Sequence, residues 1–219
     1  MKYFQDPARL WSLLSQMLEG TGSTLLLFAL TLLFALPLGY FVSHGSMTKI
    51  KPVKWLTRTY ILLMRGTPLM LQVMFCYFGL NILGIRIDRF LAGVLAFVLN
   101  YTAYFSEIYR GGIQSIERGQ YEAADVLGLK RSQTMRKIIL PQVVKRILPA
   151  MGNETITLVK DTALVSVIAV SDLMKVSYSV VSRDASVMPF FIAAVFYLIM
   201  NGVVTRILSM IEKHYAYYR

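Results

Sequence analysis

Glu154, Lys160 and Asp161 stand inside an otherwise apolar stretch that also carries Asn153, Thr157 and Thr162. Carboxylates and an ammonium in such a setting either pair with opposite charge to fix helices together, or line a wet path that binds and passes a polar solute. Glu154 and Asp161 are seven residues apart. At 100° per residue they share one helical face, about 10 Å apart along the axis, and Lys160 points about a quarter turn away. A complementary charge, Arg65, stands seven residues beyond Arg58 on one helical face and is followed by Gly66, Thr67 and Pro68, which loosen the backbone locally. Irregular backbone at membrane depth is tolerated where it is buried in protein or lines a cavity. Arg65, Thr67, Glu154, Thr157, Lys160 and Asp161 are therefore the candidate residues of a solute pathway. Two plainer readings stay open: an ion pair that only fixes packing, and an arginine that snorkels to the interface. Asn100 reads as a helix-to-helix hydrogen bond rather than a ligand contact. No metal site is expected, and the lone cysteine, Cys76, reads as packing.

The elements that must position these groups follow from composition. Of 219 residues, 56% are hydrophobic and only 16% are charged, against roughly 25% charged in soluble domains. The mean hydropathy of +0.54 agrees with a membrane protein. A hydrocarbon core about 30 Å thick takes about 20 apolar residues per helix, which predicts an all-α membrane protein of about five spans, near 22–42, 55–83, 90–106, 150–171 and 187–205, in one transmembrane domain, 1–219. Residues 1–21 would form an outer interfacial segment, because Leu10, Trp11, Leu14, Met17 and Leu18 share a helical face behind an Asp6-Pro7 start. His214 to Arg219 reads as an aromatic and basic anchor at the opposite interface.

The net charge of +11 would also suit a nucleic-acid surface, so its distribution decides. Five spans place Lys2, Arg9, Arg86, Arg89, Lys175 and Arg183 on one side and most other basic residues on the other. Positive residues mark the cytoplasmic face. The expected topology has the N-terminus outside, the C-terminus and the segment 107–149 inside, and no nucleic acid as partner.

That inner segment is patterned. Gly119-Gln120-Tyr121-Glu122-Ala123-Ala124-Asp125-Val126-Leu127-Gly128 precedes Leu129-Lys130-Arg131-Ser132-Gln133-Thr134-Met135-Arg136-Lys137-Ile138-Ile139-Leu140-Pro141. Glu122 lies early in a short helix, Gly128 takes the left-handed conformation that ends it, and Ser132 caps the next. Pro141 then redirects the chain toward the fourth span. Ala123, Val126, Leu127, Met135, Ile138 and Ile139 recur at helical spacing, so the pair would press an apolar ridge into a partner's groove.

On these residues the segment resembles the EAA loop of bacterial binding-protein-dependent ABC importers. Glu122-Ala123-Ala124, Gly128, Ile138, Leu140 and Pro141 stand in that family's order and spacing. Gly111-Gly112-Ile113-Gln114-Ser115-Ile116, Arg65-Gly66-Thr67-Pro68 and Lys160-Asp161-Thr162 are similar to its polar amino-acid branch. Met135 departs from an aromatic common in the family, and Ala163 from a serine.

The resemblance implies a type I ABC importer fold and a permease subunit that forms the path for an amino acid. It makes 107–149 a cytoplasmic coupling loop, with Glu122, Ala123, Ala124, Asp125, Gly128, Met135, Ile138, Leu140 and Pro141 seated on a separate ATP-binding subunit. It also implies a second permease copy or homologue, an extracytoplasmic binding protein, and a place in the bacterial inner membrane among its lipids. The chain carries no G-x-x-x-x-G-K-[ST] phosphate loop, so it is expected to be no enzyme, to hold no cofactor, and to leave ATP and Mg to the partner. An amino acid offers an ammonium and a carboxylate, which acids on one helix facing Arg65 on another would suit. The rival reading is a secondary transporter driven by an ion gradient, which also uses intramembrane acids; it predicts inverted repeats, and none is visible.

Overall fold

The computed structural model describes residues 7–215, which contain helices and connections but no strand. Asp6 of the expected cap and residues 216–219 of the expected anchor lie outside them. In chain order the helices are α1 (Pro7–Met47), α2 (Lys51–Gly66), α3 (Leu69–Ile82), α4 (Arg89–Gln114), α5 (Arg118–Val126), α6 (Arg131–Ile168), α7 (Leu173–Asp184) and α8 (Met188–Tyr215). α1, α4 and α8 are each long and apolar enough to cross a membrane. The count becomes five if two bent pairs are each taken as one span: α2 with α3, bent by 106°, and α6 with α7, bent by 55°.

Three expected boundaries change. The interfacial segment and first span are one helix of 41 residues, about 60 Å long and twice the hydrocarbon thickness. Nothing between Pro7 and Met47 forces a stop: Pro37 is absorbed within the helix, and the Thr21, Thr24 and Thr31 hydroxyls fold back onto the carbonyls of Met17, Gly20 and Leu27. Leu13 and Met17 are buried with Leu173, Val180 and Ala193 of α7 and α8, so the first turns pack on protein. The third span runs eight residues past 106, to Gln114, which places Glu107 and Arg110 on a helix rather than in the loop. The fourth span begins far upstream of 150. α6 widens into a π turn over Met135–Ile139, continues as α-helix over Leu140–Asp161 and tightens into a 3-10 turn over Thr162–Ile168. Pro141 therefore redirects nothing: it sits at the start of the α segment, where a missing N–H costs little, after a widened turn.

α1 and α4 make the most extensive helix contact. Along α1 the buried residues Gly20, Thr24, Leu27, Thr31, Ala35, Gly39, Ser43 and Ser46 recur every three or four positions and are mostly small. A Cβ at Gly39 would lie 2.9 Å from Cβ of Phe105 and 3.2 Å from the amide nitrogen of Ser106, so the two helices approach backbone to backbone. Between apolar helices in lipid, such close contact of small residues replaces the hydrophobic drive available in water.

Candidate functional site

The site begins where α2 stops. Pro68 disfavours helical backbone at Thr67, which is extended at φ −121° and ψ 147°. In an unbroken helix Met64 would accept its backbone hydrogen bond from residue 68, but proline has no N–H. Side chains supply the missing donors. Gln72 Nε2 donates to the Met64 carbonyl at 2.9 Å and to Thr67 Oγ1 at 2.8 Å. Asn100 Nδ2 of α4 donates to the same Met64 carbonyl at 3.0 Å and to Gln72 Oε1 at 3.0 Å. Thr67 Oγ1 donates to the Leu63 carbonyl at 2.8 Å. An open backbone end is thus closed by one amide pair, and Arg65 and Thr67 are fixed beside it. The expected hydrogen bond of Asn100 is present, and Asn100 also lines the cavity described next.

Against this junction lies the C-terminal half of α6. Glu154, Thr157 and Asp161 fall on one face of its α segment, as their spacing requires, and with Arg65 and Thr67 they line a cavity of about 560 Å³. That volume lies within the range of small-molecule sites, about 300–1,000 Å³. The α segment ends at Asp161, and the 3-10 turn that follows packs on α3 and ends at Ala169, a left-handed residue with φ 59°. Tyr101 of α4 is 2% exposed and donates its hydroxyl hydrogen to Asp161 Oδ2 at 2.8 Å. Tyr104, one helical turn on, lies under Arg65, whose Cζ is 5.3 Å from the ring centroid.

Five of the six pathway candidates therefore converge on one cavity. Lys160 does not: it is exposed and faces away, as the quarter turn implied. Arg65 also has an unforeseen partner, Glu107 Oε2 at 3.5 Å. Tyr101, Tyr104 and Gln72 escaped the sequence reading, because aromatic residues in a span look like packing. Gln72 alone had a usable signal, as the one strongly polar side chain in an apolar run just after the break.

At the other end of the molecule, Gly128 has φ 71°. Leu129 N–H donates to the Ala124 carbonyl and Gly128 N–H to the Asp125 carbonyl, both at 3.0 Å, the paired bonds of a Schellman ending. The next helix starts two residues earlier than expected. Lys130 precedes it, with its N–H bound to Gln133 Oε1 at 2.9 Å, and Ser132 sits inside the first turn. The expected docking residues divide. Glu122, Ala123, Asp125, Gly128 and Leu140 are exposed, and Val126 and Leu127 stand out at 88% and 73% exposure. Ala124 and Ile139 are fully buried, while Met135 and Ile138 pack half-buried with Ile116, Val143 and Ile147. The apolar ridge expected from the second helix is thus an internal core, and Pro141 lies at intermediate exposure beside it. The Arg146 guanidinium donates to the Ser115 carbonyl, tying this unit to the end of α4.

Residues 13–217 match the family model described as binding-protein-dependent transport system inner membrane component. The arginine transport system permease protein ArtQ of Bacillus subtilis (strain 168) is 39% identical over 198 residues, covering 90% of each chain. The glutamine transport system permease protein GlnP of Escherichia coli (strain K12) is 35% identical over 211 residues, covering 95% of this chain and 96% of its own. Among solved structures, an amino acid ABC transporter crystallised with histidines superposes with a TM-score of 0.88 at 37% identity, over 95% of this chain and 98% of that one. The MetNI methionine ABC transporter in an inward-facing conformation shares the fold, with a TM-score of 0.73 at 17% identity.

Proposed function

The chain belongs to the family of binding-protein-dependent transport system inner membrane components, and on that premise we propose that it is the permease subunit of an ATP-driven importer of amino acids. The observation that carries the substrate class is the cavity that joins two carboxylates, Glu154 and Asp161, to one guanidinium, Arg65, with Thr67 and Thr157 between them. A zwitterion carries both signs, and this cavity offers the opposite sign to each. The names of the relatives ArtQ and GlnP, which specify arginine and glutamine transport, agree with that class.

Energy enters at the other end. The Glu122 to Gly128 turn presents Val126 and Leu127 to the cytoplasm and seats on a separate ATP-binding subunit, which holds ATP and Mg. Closure of two such subunits moves α5 and the start of α6, and through the continuous α6 the motion reaches Glu154 and Asp161. A second permease copy or homologue completes the pathway, and an extracytoplasmic binding protein delivers the amino acid to the outer ends of α3, α4 and α7. The N-terminus lies outside and the C-terminus inside, in the bacterial inner membrane.

The test is uptake by the complete transporter in vesicles. Glu154→Gln and Asp161→Asn should each lower uptake at least tenfold, as loss of a charged hydrogen-bonding group does, while the subunits still assemble. In the same preparation Glu122→Lys should weaken retention of the ATPase. Unchanged uptake in both acid variants removes the site from this cavity.

A further inference from the structure

A second cavity, of about 510 Å³, lies on the far side of Arg65 from the first, and Arg65, Gly66 and Tyr104 line both. The two have opposite charge. The first sets Glu154 and Asp161 against Arg65; the second sets Arg58, Arg65 and Arg110 against Glu107.

The arginines of the second cavity are unequally occupied. Arg110 holds both oxygens of Glu107, at 2.8 and 2.7 Å, and donates to Gln114 at 2.7 Å. Glu107 is therefore satisfied without help. Arg65 approaches it only to 3.5 Å, and its side chain is 43% exposed, a geometry in which an ion pair contributes little. Arg58 makes no ion pair among the described residues and is exposed to the cavity. It lies nearer than Arg65 to Lys51, the end of α2 that the charge distribution assigns to the cytoplasm.

We propose that this second cavity is a carboxylate-binding station on the exit side of the pathway. Arg58 is its anchoring group, and Arg65 is the residue that turns from one cavity to the other. An amino acid in the first cavity is held by its ammonium on Glu154 or Asp161, which lie about 10 Å apart along α6, and by its carboxylate on Arg65. As it moves inward, its carboxylate passes along the guanidinium of Arg65 to that of Arg58, two turns away on the same face of α2. Guanidinium groups match carboxylates in paired hydrogen bonds, and the Tyr104 ring under Arg65 keeps that side chain at the shared wall as it turns. The inference rests on reading the first cavity as the substrate path.

The experiment uses the complete transporter, with its ATP-binding subunits and binding protein, in vesicles. The radiolabelled amino acid is whichever of L-arginine, L-glutamine and L-histidine most stimulates its ATPase. Arg58→Gln should lower the maximal uptake rate about tenfold with KM changed less than twofold, because the group acts after loading. Arg58→Lys, which keeps the charge, should recover most of that rate. Wild-type uptake in Arg58→Gln overturns the station and leaves Arg58 as an arginine that only snorkels. A raised KM overturns it too, because Arg58 would then serve the first cavity. If Glu154→Gln and Asp161→Asn also transport normally, the pathway itself is misplaced; if only Arg58→Gln does, the pathway stands and the station falls.

Discussion

The seam between α1 and α4 and the junction between α2 and α3 solve one problem, keeping backbone polar groups satisfied in lipid, in opposite ways. Along the seam both helices are unbroken, with Pro37 the one interior residue of α1 that has no N–H to give, and Gly39 lets the backbones touch. At the junction the backbone turns by 106°, and the freed Met64 carbonyl is answered by Gln72 and Asn100. The seam tolerates no added volume and has nothing to rearrange. The junction is held by a few polar contacts beside a cavity and can exchange them. The cavity-lining Arg65 and Thr67 therefore stand at the irregular backbone, while the regular helices supply the frame.

This contrast predicts graded effects. Gly39→Leu would push a side chain into Phe105 and Ser106. Overpacking of a close contact costs about 1–3 kcal/mol and occasionally more, so the largest expected effect is loss of assembled transporter, measured as the yield of monodisperse complex after purification. Normal yield would mean that the seam has slack and the contrast is overdrawn. Gln72→Leu should leave the frame intact and loosen the junction, since Met64 keeps only its Asn100 donor while Thr67 and Asn100 each lose a partner, at about 0.5–1.5 kcal/mol per hydrogen bond. Yield should hold while amino-acid-stimulated ATPase activity falls, and Gln72→Asn should not restore it, because the shorter amide cannot reach both Met64 and Thr67. Tyr101→Phe should have the smallest effect. It removes one hydrogen bond to Asp161, worth about 1 kcal/mol, and should raise the KM for uptake roughly fivefold with little change in maximal rate. A fall in rate at constant KM would place Tyr101 in a moving step rather than in binding.

Much of the proposed coupling segment was legible in the sequence. Gly128 is left-handed because a helix ending of this kind needs positive φ there, and the motif that carries it is contiguous. The proposed pathway residues were legible as a set because charge inside an apolar stretch is conspicuous, and Glu154 with Asp161 share a face by helical arithmetic alone. The division of the docking residues was not legible. Ile138 and Ile139 have the same spacing whether they meet a partner or their own core, and only the packing of α6 on the end of α4 shows that they meet Ile116, Val143 and Ile147. The first helix misled for a related reason: an amphipathic start reads alike whether its apolar face meets lipid or α7.

The sequence by itself determined the class of molecule, the approximate spans, the turn at Gly128 and the charges available to a solute. These depend on local hydrogen bonding, on periodicity and on the cost of charge in lipid, all of which act within a few residues. Tertiary structure decided the sharpness of the bend at Thr67, the partners of Arg65 and the meeting of Tyr101 with Asp161, sixty residues apart in the chain. In a bilayer the outer face of a helix is as apolar as its packed face, so hydropathy cannot say which side meets which neighbour. Only the assembled helices bring Arg65, Glu154 and Asp161 around a single cavity.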